Sequence, residues 1–220
     1  HFADSHFAQQ GLYVGVAGDI TPEELARALD GLFGALPEES GAPEIGPQHP
    51  RADGATMVVD MAVPQSVALF GQPGIAYDDP DFFAAYVLND ILGGGGFSSR
   101  LTEEVRVQRG LAYSVGSHLV PLEHGQVILG SVATANDRVA ESLDLIRQEW
   151  QRIRQDGVTQ AELDDAKTYL TGSFPLRFDR STRIAGMLVA MQVHDWGIDY
   201  LDKRNSLVEA VTRDDVNRVA

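Results

Sequence analysis

The 220-residue sequence contains no cysteine. This absence excludes disulfide bonds, a thiolate nucleophile and cysteine-ligated zinc, and it leaves the redox compartment open. No apolar run is long enough to cross a bilayer, so no membrane span is predicted. The first residues show no basic stretch followed by an apolar stretch, so no targeting segment is visible. The sequence is compatible with a location in a bacterial periplasm and with one in a cytoplasm. Because the chain does not begin with Met, we expect a fragment or a processed piece of a longer protein.

Positive charge is also scarce. Lys and Arg number 17 against 32 Asp and Glu, which gives a formal net charge of −15 at pH 7. Such a surface repels phosphate backbones, so nucleic acid is not an expected partner. Hydrophobic residues make up 44% of the chain, which is enough to build a sizeable core.

The histidines do not form a zinc motif. A helical zinc pair needs two imidazoles four residues apart, and no two histidines of this sequence have that separation. The nearest approach is the segment 120–124, which resembles an inverted H-x-x-E-H motif without its first histidine. Pro121 and the flanking strand patterns predict a turn there, whereas the motif needs a helix. We therefore predict no metal site and no catalytic residue in this chain, which should be inactive alone.

Capping signals and apolar periodicity predict most of the secondary structure. The boxes Thr21-x-x-Glu24, Thr159-x-x-Glu162 and Thr212-x-x-Asp215 each predict a helix start. Helices are predicted at 21–36, 81–92, 100–108, 136–156, 159–172, 181–194, 200–210 and from 212 onward, and strands at 12–18, 55–62, 65–71, 111–118 and 126–134. Strands interleaved with helices and followed by helices alone indicate an α+β fold whose sheet is covered on one face.

A Pro- and Gly-rich segment at 37–54 is the best linker in the chain. We place a domain boundary near residue 50, which divides the chain into residues 1–50 and 51–220. Residues 1–36 then hold one strand and one helix, too little to bury their own apolar face, so we expect self-association or a partner.

A run of four glycines, Gly93, Gly94, Gly95 and Gly96, lies between two predicted helices. It could cradle a phosphate at a helix N-terminus. A dinucleotide site follows a strand, however, and no Walker lysine is present, so nucleotide binding is a poor hypothesis. Two alternatives remain. The run could simply break the chain between two helices, or it could form a surface that another backbone can approach closely.

Arg106 and Tyr113 form the third candidate. Arg106 lies in the last predicted helical turn, Gly110 ends that helix, and Tyr113 begins the next strand. A guanidinium and a phenol brought together in this way can both donate hydrogen bonds to one carbonyl oxygen. The structural alternative is that Arg106 caps its helix and Tyr113 is a core aromatic residue.

The run from Leu88 through the glycines and Arg106 to Ser114 resembles the C-terminal homologous domain of insulinase/pitrilysin-type zinc peptidases, which include mitochondrial processing peptidase subunits and bacterial relatives. The opening segment from Tyr13 to Leu25, followed by Phe33-Gly-x-Leu-Pro37, resembles the tail of that family's preceding domain. The resemblance covers nearly the whole chain. It implies an antiparallel-type sheet with helices packed on one face, a tail plus linker at 1–50 and a metal-free peptidase-like domain at 51–220.

In that family, one half carries H-x-x-E-H and zinc, and the metal-free half contributes an Arg/Tyr pair that binds the peptide. The resemblance therefore implies that Arg106 and Tyr113 bind substrate, that a partner domain or subunit carries the zinc, and that the assembly is a homo- or hetero-oligomer. The function implied is the substrate-binding half of a zinc-dependent endopeptidase. The alternative is a non-catalytic assembly subunit of the same fold.

Overall fold

The computed structural model describes residues 2–220, which form two compact units. The smaller unit comprises the chain up to Gly46 together with Ser173–Asp202, and the larger one comprises Pro47–Gly172 and Lys203–Ala220. Within residues 2–220, no helix is both long and apolar enough to span a membrane.

The α-helices are α1 Phe2–His6, α2 Pro22–Phe33, α3 Phe82–Asn89, α4 Val139–Asp156, α5 Gln160–Ser173, α6 Ser181–Val193, α7 Tyr200–Ala210 and α8 Arg213–Val219. The strands are β1 Gln65–Pro73, β2 Ala112–Leu122 and β3 Gly125–Ala135. Two π-helical segments span Asp90–Gly94 and Thr102–Val107, and short 3₁₀ turns span Gly96–Ser98, Asn136–Arg138 and Phe174–Phe178.

The larger unit is built on a three-stranded antiparallel sheet in the order β1-β3-β2. One face carries the core, in which Val132 of β3 is fully buried together with Leu101, Val105 and Val208 from helical segments. The opposite face is open, with Val67 and Leu69 of β1 exposed at 67% and 80%. This arrangement confirms the predicted α+β class with helices on one face of an antiparallel sheet.

Local capping explains where several helices begin. In each of the three predicted boxes, the threonine hydroxyl accepts a hydrogen bond from the backbone N–H three residues later, and the carboxylate there accepts one from the threonine N–H. Glu162 of the second box also forms a two-point ion pair with Arg100, whose side chain is only 9% exposed. The start of α5 is thereby fixed to the segment that leads into the second π-helical turn.

Two predicted strands are wrong: the segments 12–18 and 55–62 form no strand. A strand exists only where a neighbouring strand completes its hydrogen bonds, and within residues 2–220 neither segment has such a neighbour. The apolar composition of the two segments predicted strands because it indicates a tendency to be buried. It carries no information about whether a second strand is available to pair with them. Helix α2 also ends at Phe33, earlier than the predicted Leu36, because Gly34 forms its cap.

In the smaller unit, the segment around Gly15 packs closely against α6. The Nε2 of Gln192 donates a hydrogen bond to the Val14 carbonyl at 3.1 Å. Beside this contact lies an apolar cavity of about 590 Å³. It is lined by residues of α2 and α6, including Leu25, Leu29 and Leu188, and by the extended segment 14–16. The extended segment therefore packs against a helix of the same unit.

Candidate functional site

Arg106 lies in the π-helical segment Thr102–Val107, in which the Gln108 N–H donates to the Glu103 carbonyl at 2.8 Å. Gly110 has a positive φ of 59°, and its N–H donates to the Arg106 carbonyl at 3.0 Å. The left-handed conformation there suits glycine and ends the helix directly before β2. π-Helical turns are frequent at functional sites, and this one carries the candidate arginine.

Tyr113 is the extra residue of a β-bulge. Ala112 pairs with Thr134 and Ser114 pairs with Ala133, so Tyr113 has no partner of its own on β3. A bulge redirects a side chain out of the regular alternation of the strand. The Tyr113 side chain is accordingly exposed, at 79%, although it lies next to the buried Ala112.

The structure brings the two candidate residues together. The guanidinium carbon of Arg106 lies 5.6 Å from the centroid of the Tyr113 ring and 5.0 Å from that of the Phe97 ring. Both distances are within the range of cation–π attraction. Within residues 2–220, the Arg106 guanidinium and the Tyr113 hydroxyl have no hydrogen-bond or ion-pair partner, so their donors remain available to a ligand.

The structural alternative is wrong for Tyr113, and within residues 2–220 the Arg106 side chain donates no hydrogen bond to a carbonyl at the helix end. The side chain that caps this helix belongs to Arg109, whose Nη1 donates to the Glu104 carbonyl at 3.0 Å and pairs with the Glu104 carboxylate. Tyr113 is exposed and does not belong to the core. Tyr113 therefore does not fill the interior, and the hydrogen bond that closes this helix end comes from Arg109.

The glycine run lies between the two π-helical segments. A Cβ on Gly93 would lie 2.7 Å from the Ser117 nitrogen, one on Gly94 would lie 2.6 Å from Asn89 Nδ2, and one on Gly95 would lie 3.0 Å from Asp90 Oδ2. These three glycines thus allow close packing within the protein. Gly96 differs, because its φ is +62° and no atom lies within 4 Å of its Cβ position. Its surroundings are open.

Many backbone donors around the run are already used. The Gly95 N–H donates to the Asp90 carbonyl at 2.7 Å and the Ser98 N–H to the Gly95 carbonyl at 3.4 Å. The N–H groups of Thr102 and Glu103 both donate to Ser99. A phosphate cradle needs several convergent unpaired N–H groups, so this geometry weighs against nucleotide binding.

Phe97 is the member of the site that the sequence did not reveal. It lies in the 3₁₀ turn Gly96–Ser98 and is 76% exposed. A single exposed aromatic residue carries no signal of its own, because scattered apolar side chains are normal on protein surfaces. The candidate site therefore comprises Arg106 and two exposed aromatic residues in contact with its guanidinium, Phe97 and Tyr113.

The described residues do not fit a zinc site. Among residues 2–220, no group of three or more His, Asp or Glu side chains is placed to hold a metal ion. His124 lies in the turn between β2 and β3, beside an exposed Glu123 carboxylate at 3.9 Å. A structural or catalytic zinc needs at least three protein ligands, and no step of zinc chemistry can be assigned to these residues.

Similarity to known proteins agrees with this picture. The family model described as "Peptidase M16 inactive domain" matches residues 1–170. A protein described as an uncharacterized zinc protease from Streptomyces coelicolor is 30% identical over all of this chain and 49% of its own length. A Helicobacter pylori protein described as a non-peptidase homolog is 33% identical over 78% of this chain and 39% of its own length.

A solved structure described as the peptidase M16 inactive domain from Pseudomonas fluorescens superposes with a TM-score of 0.73 at 28% identity, covering 92% of this chain and 48% of that one. The chain thus spans about half the length of the relatives it matches. These matches confirm the resemblance drawn from the Leu88–Ser114 run, and the chain belongs to the peptidase M16 family as a member of its inactive-domain class.

Proposed function

We propose that this chain is the substrate-binding, metal-free half of a zinc-dependent endopeptidase that degrades or processes peptides. Arg106 and Tyr113 are the peptide-binding residues. The observation that carries the proposal is the Arg106 guanidinium, which lies 5.6 Å from an exposed Tyr113 ring and has no protein partner for its N–H groups within residues 2–220. A hydrogen-bonded cap on the carbonyls of the helix end would have used these groups.

The chemistry of the pair suits a peptide carbonyl. Guanidinium N–H groups form charge-assisted hydrogen bonds, and a phenol adds a neutral donor from a second direction. Donors fixed before the ligand arrives hold a carbonyl, and the negative oxygen that develops from it, more tightly than water does. The π-helical turn and the β-bulge fix the backbones of Arg106 and Tyr113. The Arg106 residue is half-buried, and the Tyr113 side chain is exposed.

The zinc-bearing half lies outside this chain in the proposal. We assign residues 1–50 to the tail of a preceding homologous domain plus linker, and residues 51–220 to the metal-free domain. A domain or subunit with H-x-x-E-H supplies the zinc and the hydrolytic chemistry. The description of the Streptomyces coelicolor relative as a zinc protease supports this division, as does the coverage of only about half of its length.

A non-catalytic assembly subunit of the same fold is the second candidate. It is favoured by one relative that is described as a non-peptidase homolog. The two candidates differ in the partner, because an intact H-x-x-E-H motif in the upstream sequence or in an associated subunit is required only for the enzyme.

Mutation of the pair in the complete zinc-bearing assembly tests the proposal. Arg106→Ala and Tyr113→Phe should each lower kcat/KM for peptides about ten- to a hundred-fold, the value of a hydrogen bond to a charged or developing-charge group. If both residues act on one carbonyl, the double variant should lose less than the product of the single losses.

Melting temperatures on the same samples provide the control. Both side chains lie outside the core, so the fold should be spared. Variants that melt earlier but remain fully active per folded molecule would show that the pair is structural.

A further inference from the structure

Glu149 is a buried acidic side chain on α4, which packs against the segment that carries Arg106. Only 5% of the residue is exposed, and its Oε1 accepts a hydrogen bond from Nη1 of Arg152 at 3.1 Å. Within residues 2–220, its second oxygen, Oε2, is buried without a hydrogen-bond partner. A buried carboxylate oxygen with no donor is unfavourable, because nothing replaces the water that it loses. A neutral side chain of the same size would pack better, so the acidic group needs another explanation.

Charged groups of the site-bearing segment face Glu149 across the contact with α4. Nη1 of Arg152 also lies 3.7 Å from Oε1 of Glu104, which belongs to the π-helical segment Thr102–Val107. Glu104 in turn pairs with Arg109, whose Nη1 donates to the Glu104 carbonyl at 3.0 Å. One arginine therefore lies between two carboxylates, Glu149 on α4 and Glu104 on the segment.

A further arginine approaches from the start of the segment. Nε and Nη2 of Arg100 bind the Glu162 carboxylate, and Nη2 also donates to the Gly157 carbonyl at 3.0 Å. Its remaining nitrogen, Nη1, is buried and has no hydrogen-bond partner within residues 2–220. Arg100 and Glu149 are close enough to attract each other electrostatically. The Glu149 carboxylate is therefore surrounded by positive charges but only partly compensated by hydrogen bonds.

The balance of these groups favours the neutral form of Glu149. Burial raises the pKa of its carboxyl above the ordinary value of 4.5, and Glu104 adds to the rise, while the attraction of Arg152, Arg100 and Arg109 offsets only part of it. When the segment moves away from α4, water reaches the carboxyl and its pKa returns toward 4.5. The packed arrangement thus holds the proton more tightly than the opened one. Protonation therefore favours packing, and ionisation favours opening.

We propose that Glu149 is a pH-sensitive switch, which holds the segment Thr102–Val107 against α4 when it is neutral and loosens the segment when it is ionised. Because Arg106 is part of this segment, peptide binding should weaken as the pH rises through the ionisation of Glu149. The effect on binding rests on the proposed function, whereas the change in packing does not.

Hydrogen–deuterium exchange of the full-length protein tests the packing directly. The amides of Gln108 and Gly110 report on the segment, because they donate to the carbonyls of Glu103 and Arg106. Their protection factors are compared between the wild type and Glu149→Gln, which is neutral at every pH. The ratio of variant to wild type should rise from about one at pH 4.5 to about three- to ten-fold at pH 8, a usual size for a residue that acts on a site without touching its ligand.

Two controls make the ratio specific. Asp90, whose carboxyl also has a raised pKa, is present in both proteins and cancels in the comparison. Glu141→Gln changes an exposed carboxylate at the start of α4 and should give a ratio that stays near one. A ratio for Glu149→Gln that is constant with pH, or that falls below one, would overturn the switch, because a packing role alone predicts a loss of protection at every pH.

Peptide affinity separates this inference from the proposed function. Fluorescence anisotropy would measure Kd for a labelled peptide without titratable groups, which Glu149→Gln should bind more tightly than the wild type at pH 8 and equally at pH 4.5. If Arg106→Ala weakens binding but Glu149→Gln matches the wild type at every pH, the switch does not act on the site, and the inference fails while the proposed function stands. If Arg106→Ala changes no affinity, the proposed function fails, and the exchange ratio alone decides whether Glu149 is a switch.

Discussion

Asp90 is a buried carboxyl group at the start of the π-helical segment beneath the glycine run, with only 8% of its surface exposed. Burial raises its pKa from the ordinary value of 3.8 to about 6, and the nearby Arg204 offsets only part of this rise. The folded state therefore holds the Asp90 proton more tightly than the unfolded state does. Between pH 3.8 and 6, the unfolded chain ionises first, so the contribution of Asp90 to stability falls as pH rises through this window.

Replacement of Asp90 by Asn should remove this penalty. At pH 7 to 8 the variant should be more stable by up to about 3 kcal/mol, because one pKa unit corresponds to about 1.4 kcal/mol. The advantage should shrink below pH 6 and vanish below about pH 4, where both states of the wild type are protonated. Chemical denaturation at a series of pH values measures this difference.

The exposed Asp144 provides the control, since it pairs with Arg147 on the surface of α4. Asp144→Asn should give no comparable gain in stability at pH 7 to 8, because this carboxylate is in contact with solvent. A stability difference for Asp90→Asn that is constant with pH would show that the Asp90 carboxyl is not the group responsible.

At the scale of single elements, helices and strands were predicted correctly from the sequence where the residues that determine them lie close together in the chain. The capping boxes at Thr21, Thr159 and Thr212 predicted helix starts correctly, because a cap is formed by residues three positions apart. The segments 12–18 and 55–62 were predicted as strands and form none, because strand formation depends on a distant partner.

The candidate site was predicted only in part. The π-helical turns had no recognisable signal in the sequence, so the position of Phe97 beside Arg106 was not predicted. The juxtaposition of Arg106 and Tyr113 was predictable because Gly110 marks the passage between them.

The link between α5 and the site-bearing helix can be tested through Glu162. Burial alone raises the pKa of Glu162, but hydrogen bonds from Arg100 and Thr159 outweigh it and lower the pKa to about 2. Glu162→Gln leaves the mostly buried Arg100 charge without its carboxylate, which costs about 3 kcal/mol for such a pair. The melting temperature should fall by roughly 5–10 °C for a unit of this size.

The pH dependence gives this prediction a second check. The ordinary pKa of Glu162 is 4.5, so its stabilisation is present above that value and is lost as pH falls toward 2. Glu141→Gln is the matched control, because the Arg138–Glu141 pair at the start of α4 is about half exposed and contributes about 0–1 kcal/mol. Equal losses for the two variants would contradict a special role of the Arg100–Glu162 link.

For the molecule as a whole, the important feature is apolar surface that the chain does not cover. The segment 55–62 has no neighbouring strand, and four of its side chains are between 65% and 89% exposed: Met57, Val58, Val59 and Met61. Contiguous exposed apolar residues mark interaction surfaces, whereas scattered ones are normal. The chain spans about half the length of the relatives it matches. We therefore expect this surface to contact another domain or another copy of the chain.

We therefore expect the 220-residue chain to self-associate when it is expressed without a partner. Its mass by light scattering should exceed the monomer value of 23.8 kDa and rise with concentration. The double variant Met57→Ser/Val58→Ser removes two of the most exposed apolar side chains and should weaken association at least about ten-fold in Kd, since full burial of each contributes about 1.5–3 kcal/mol. Leu122→Ser, at an exposed position outside the segment 55–62, should leave the association unchanged. A compact monomer at every concentration would contradict the prediction, and equal weakening by both variants would show that the 55–62 segment is not the contact surface.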